Sequence, residues 1–201
     1  MYETLRTACL VSLLSAFVGL VGCAGRDFVR PSPQDFTLGK TAYSQVIQRM
    51  GEPRRASDIL KNGKNVKAIT YVYASKGSEA LEADVTPARA LTYFFYADTL
   101  VGQEFVSSFK SDNSNFDDKL VPSIRKGQST RSDVITLMGE PTATFIVPMV
   151  KETSGEAIGY TYQAVRGGLF SGIKNSVKSL RISFDDKGVV SDIEYASSDN
   201  K

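Results

Sequence analysis

Leu38-Gly39-Lys40-Thr41-Ala42-Tyr43-Ser44-Gln45-Val46-Ile47-Gln48-Arg49-Met50-Gly51-Glu52-Pro53 recurs, at an offset of 88, as Lys126-Gly127-Gln128-Ser129-Thr130-Arg131-Ser132-Asp133-Val134-Ile135-Thr136-Leu137-Met138-Gly139-Glu140-Pro141. Eight of the sixteen positions are identical, including all of Met-Gly-Glu-Pro. Self-similarity at so long a period marks a duplicated structural unit. Each copy spells a short helix. Thr41 and Ser129 can accept hydrogen bonds from the free amides of the first turn. Val46, Ile47 and Met50, like Val134, Ile135 and Met138, fall on one apolar stripe. Gly51 and Gly139 suit the left-handed position that ends a helix, and Pro53 and Pro141 prevent its continuation. Met-Gly-Glu-Pro is therefore helix-stop chemistry and not a catalytic motif.

Strands follow each helix. Ile69-Thr70-Tyr71-Val72-Tyr73 matches Ile158-Gly159-Tyr160-Thr161-Tyr162, and Leu91-Thr92-Tyr93-Phe94-Phe95 matches Leu180-Arg181-Ile182-Ser183-Phe184. Both pairs are rich in β-branched and aromatic residues. Asp185-Asp186-Lys187-Gly188 is a turn into Val189 to Tyr195, so a hairpin closes the unit. The expected fold class is α+β: two tandem units, each a short helical segment packed on a three- to four-stranded antiparallel sheet. The units span 36–110 and 111–201. Residues 23–35, with Pro31 and Pro33, read as a linker, and the polar stretch Lys110 to Asn115 joins the units. Asn115 to Ile124 is a candidate for one more short helix, weakened by Pro122.

Side chains alternate along a strand, so parity assigns faces. One parity of the second unit gives Ile158, Tyr160, Tyr162, Leu180, Ile182 and Phe184, a core. The other gives Thr161, Gln163, Arg181, Ser183, Asp192 and Glu194, suited to water. Carried through the repeat, the same parity puts Ile69, Tyr71, Tyr73, Leu91, Tyr93 and Phe95 in the first core. Val72, Phe94, Tyr96 and Val106 then lie on the opposite face, which water does not favour. A partner protein, the second repeat or the N-terminal segment is expected to cover them. Leu169 and Phe170, between glycines in the loop Val165 to Ser176, are candidates for a contact with a partner or lipid, or for folding back over the sheet edge.

Leu10 to Val21 is almost wholly apolar but shorter than the roughly 20 residues a membrane-spanning helix needs. It reads as the apolar region of a signal peptide covering residues 1–22. Leu20-Val21-Gly22-Cys23 resembles the bacterial lipobox, which makes Cys23 the lipidated N-terminus of the mature chain. Membrane attachment through Cys23 follows. Cys9 leaves with the signal, so an acylated Cys23 leaves no thiol for a disulfide or a cysteine-bound metal.

Composition narrows the chemistry. The chain has no His, which excludes a Ser-His-Asp triad, a Cys-His pair and a His-based zinc site. Asp117-Asp118 and Asp185-Asp186 are adjacent acids in turn-like contexts. Gly167-Gly168-Leu169-Phe170-Ser171-Gly172 lacks the Gly-Lys-Ser/Thr of a phosphate loop. A net charge of +2 gives no basic face for nucleic acid. No enzyme activity, cofactor, metal or small-molecule substrate is expected.

A helix ending in Gly-x-Pro after Gly-x-Ser/Thr, followed by aromatic strands, resembles the SmpA/OmlA (BamE-like) family of outer-membrane lipoproteins. As a tandem pair it also resembles secreted β-lactamase-inhibitor proteins. The chain departs from the BamE-like pattern in having two units and no Trp. The resemblance implies a non-enzymatic, periplasm-facing adaptor in outer-membrane protein assembly or envelope integrity, acting through an envelope protein partner. Ala24 and Gly25 after the Cys resemble lipoproteins forwarded to the outer membrane, if the organism is Gram-negative. The alternative is an inhibitor-like binder that holds a soluble enzyme in the concavity of its two sheets.

Overall fold

A computed structural model of the chain describes residues 25–32, 34–151, 155–168 and 172–199. Each Met-Gly-Glu-Pro ends a helix of eight residues: α1, Tyr43–Met50, and α2, Arg131–Met138. Gly51 and Gly139 take φ of 77° and 84°, a region glycine enters without steric cost. Their amides donate to the carbonyls of Ile47 and Ile135 at 2.8 Å. The opposite caps lie one residue later than the sequence suggests. Thr130 accepts from the Asp133 amide at 3.2 Å, and Asp133 accepts from the Thr130 amide at 2.8 Å. At α1 the position is Ala42, whose amide donates to Gln45 Oε1 at 2.8 Å. Thr41 and Ser129 reach back instead, accepting from the amides of Thr37 and Arg125 at 2.8 and 3.0 Å.

The strands are β1 Arg55–Lys61, β2 Lys64–Ala74, β3 Ala88–Tyr96, β4 Thr99–Ser107, β5 Ala143–Ile146, β6 Glu156–Gly168, β7 Gly172–Phe184 and β8 Val190–Asp199. A 3₁₀ helix at Asp118–Ser123 precedes α2, the form that Pro122 permits. All eight strands make one antiparallel sheet in sequence order. This corrects the expected fold class. The chain is β-rich and continuous, not two separate α+β units, because β4 pairs with β5. Gly102 faces Phe145 there, and Glu104 faces Ala143. Separate sheets would leave four edge strands with unpaired amides and carbonyls, and the seam removes two of them.

The duplication persists in fine detail. The β3–β4 and β7–β8 registers shift at Phe94/Phe95 and at Ser183/Phe184, equivalent positions of the two halves. Gly39 and Gly127 donate to the carbonyls of Leu100 and Val190, each at 2.8 Å. Tyr71 donates its hydroxyl to the Gly51 carbonyl at 2.7 Å, and Tyr160 to that of Gly139 at 2.8 Å. The helix stop is thus tied to a strand tyrosine in both halves.

Burial pushes both of these phenols up to about 12. An unfolded tyrosine titrates near 10. With the folded value raised, the tie contributes fully below about pH 10 and is lost as pH rises through about 12. Tyr71→Phe and Tyr160→Phe should each cost about 1 kcal/mol in denaturant melts at neutral pH. Each variant should also lose one late-titrating phenol from an alkaline absorbance titration. A full set of late phenols in either variant contradicts the assignment.

Parity sorts the core as expected. Val46 of α1 packs with Ile69, Tyr71, Leu91, Tyr93 and Phe95, and Val134 of α2 with Ile158, Tyr160, Leu180, Ile182 and Phe184. Val46 and Val134 are fully buried, while Ile47, Met50, Ile135 and Met138 pack half-buried at the margins. Tyr162 sits apart with Val85 and Ala164, and Tyr73 stacks on Phe109.

Candidate binding surfaces

The sheet face turned away from the helices curls around a cavity of about 520 Å³. Its lining includes Ile59 and Lys61 of β1 and also Glu194 and Tyr195 of β8. In a flat sheet these edge strands would stand about 34 Å apart, at about 4.8 Å per strand step. One cavity touching both therefore requires a strongly curled sheet. The matched register shifts supply part of that curl, since an extra residue in one strand sharpens the local twist.

The floor of this concave face is apolar and its walls are polar. Phe94, Phe145, Met149 and Val150 form a buried cluster with Val66 and Ala68. The segment after β5 lies over it, held by Asn62, whose Nδ2 donates to the carbonyls of Pro148 and Val150 at 2.9 Å each. Arg181 lies with its guanidinium 4.5 Å from the Phe145 ring centre and donates to the Met149 carbonyl. Burial lowers its pKa, against the opposing pull of Glu194 and Glu104. Thr161 Oγ1 donates to Glu104 Oε1 at 2.7 Å. The face can accept an apolar group flanked by hydrogen-bonding partners of either charge.

A second surface is built by the residues nearest the chain's start. The expected linker is not loose: described residues of 25–35 are docked on the helix side of the first half-sheet. Gly25 forms a bridge with Tyr73, and a Cβ there would lie 2.0 Å from the Val72 carbonyl oxygen. Arg89 pairs with Asp27 and, at 2.7 Å, with Asp112. Its guanidinium also lies 5.5, 5.5 and 5.1 Å from the ring centres of Phe28, Tyr73 and Phe109. Arg30 stacks 4.6 Å from Phe105, and Phe36 is buried in the core. Beside this segment lies a cavity of about 670 Å³ whose lining includes Arg26, Arg30, Arg49, Arg54, Asp27, Asp35 and Glu52. The stretch Lys110 to Asn115 is pinned too. Ser114 is buried, and its Oγ donates to the Thr161 carbonyl at 2.7 Å.

The residues predicted for partner binding do not gather into one site. Phe94 is buried and Tyr96 half-buried against residues of the second half, and Phe94 also lines the concave cavity. Val72 is half-buried and lines the arginine-rich cavity instead, and Val106 is half-buried opposite Ala90. Cys23, Leu169 and Phe170 lie outside the described residues. Asp185 Oδ1 accepts from the amides of Lys187 and Val189 at 2.9 Å, an acid spent on its own turn. Asp118 accepts from the Tyr195 hydroxyl at 2.6 Å, which with Lys178 lowers its pKa. Among the described residues no three potential metal ligands converge.

No known protein family matches the chain, the BamE-like lipoproteins included, and no curated protein matches it. A crystal structure from Streptococcus mutans, of a protein provisionally described as a β-lactamase inhibitor protein, is distantly similar. The two share 14% identity over 80% of this chain and 84% of that one, with a TM-score of 0.37. That is too distant for function to pass from one to the other.

Proposed function

We propose that this chain is a lipid-anchored, non-enzymatic binding module of the cell envelope that engages a protein partner through its concave sheet face. The observation that supports this reading most is the single cavity lined from β1 to β8, with polar walls over an apolar floor. It is a shape that receives a protruding loop. The anchor at Cys23 rests on the signal-like segment and the lipobox-like residues before it.

Glu194 is exposed and Ser179 half-buried on the wall of that cavity. Glu194→Arg and Ser179→Arg should cut partner recovery from detergent-solubilised envelopes at least about tenfold, a change of about 1.4 kcal/mol in binding. Their melting temperatures should stay at the wild-type value. Undiminished recovery with both variants would sink the concave-face reading. A Cys23→Ser chain that works fully when released would shift the assignment to a soluble inhibitor-like binder.

A further inference from the structure

We infer that the cavity lined by Arg26 and Arg49, with Val29 at its rim, is a contact surface for the phosphates of an anionic membrane. The inference rests on the anchor proposed at Cys23. Gly25 is fixed against Val72 and Tyr73, and two residues of extended chain reach at most about 7 Å. The polar layer on each side of a bilayer is itself roughly 5–7 Å thick. A body held this close to its acyl chains has the cavity at headgroup depth.

The chemistry of the cavity suits that position. Arg26 is exposed, and neither it nor Arg49 makes an ion pair or hydrogen bond to another described residue. Three carboxylates also line the wall: Asp27 is taken by Arg89, Asp35 accepts from the Ser32 amide at 2.8 Å, and Glu52 stands exposed, so the four arginines of the wall outnumber its acids by one. Guanidinium forks match phosphate oxygens two at a time. Val29 is 87% exposed, an apolar side chain facing outward beside the arginines. Cationic groups around an outward apolar residue are what a membrane surface accommodates.

The test uses residues 23–201 carrying Cys23→Ser, so that no acyl chain contributes. The chain should sediment with vesicles of phosphatidylcholine mixed with phosphatidylglycerol, not with phosphatidylcholine alone, and added salt should release it. Arg26→Gln and Arg49→Gln should each weaken binding about fivefold, and about thirtyfold together. Arg26→Lys with Arg49→Lys should keep most of the binding. Equal binding to both vesicle types, or no change in the double Gln variant, overturns the inference. Displacement by millimolar inorganic phosphate at constant ionic strength overturns it too, because the cavity then holds a free anion. Intact mass of the wild-type chain from envelopes tests acylation separately. An unmodified Cys23 there removes the anchor, while the arginine surface stands or falls on the vesicles.

Discussion

Phe145→Ala should lower stability by about 3–5 kcal/mol, the usual cost of emptying a buried phenylalanine site. Phe145 is 6% exposed at the seam where β5 joins β4. Its ring packs 5.9 Å from that of Phe94 and lies beneath Arg181. A Cβ at Gly102, directly opposite, would come within 2.7 Å of the Phe145 ring. The ring therefore fills the space that Gly102 leaves open, and it links residues from both halves of the duplication. For a domain of this size the loss corresponds to a fall of roughly 6–20 °C in melting temperature. The sheet is continuous, so the variant should still melt in one transition. Two resolved transitions, with only one displaced, would show that the halves are independent and the seam energetically minor.

Arg89→Met should cost about 2 kcal/mol and free the segment that begins at Gly25. Breaking a fully buried ion pair costs about 3–5 kcal/mol, and the exposure of Asp27 reduces that here. The Arg89 side chain is 16% exposed, whereas Asp27 is 58% exposed. Burial alone would lower the guanidinium pKa, but the hydrogen bonds to Asp27 and Asp112 outweigh it and raise the value. Met keeps the apolar contact with the three rings and removes the fork that holds two carboxylates. Amide exchange across Asp27 to Arg30 should accelerate, and trypsin should cut after Arg26 earlier than in the wild type. Arg89→Lys should fall between, since an ammonium keeps the charge but loses the bidentate geometry. Exchange unchanged in Arg89→Met would mean that Phe28 and Phe36 hold the segment unaided.

The helices and the core were legible because their signals are local. Gly51 and Pro53 punctuate α1 within a few residues, and alternation in Leu91 to Phe95 declares which side chains are inward. The seam was not legible. β1 carries Arg55, Asp58 and Lys61 and shows no apolar alternation, and β5 is only four residues long. Neither pattern separates a strand from a loop, so the sequence suggested two sheets where there is one. The cover over Phe94 comes from Met149 and Val150, which sit in an irregular stretch with no periodicity to read. Asp27 and Arg89 are far apart in sequence, and Pro31 and Pro33 made the intervening segment look like a linker. The concave wall residues Arg181 and Glu194 were visible as polar positions. That they converge depends on curvature, which parity does not encode.

The strand order also bears on how the chain reaches this state. Every strand pairs with the one before it in sequence, so almost all ladder contacts have small chain separation, and low contact order favours fast folding. β5–β6, β6–β7 and β7–β8 can each close without waiting for distant partners. The pairing of β4 with β5 is different, because it must span the whole segment that holds the 3₁₀ helix and α2. Closing that larger loop carries the greater entropic penalty, which places the seam late among the events of folding.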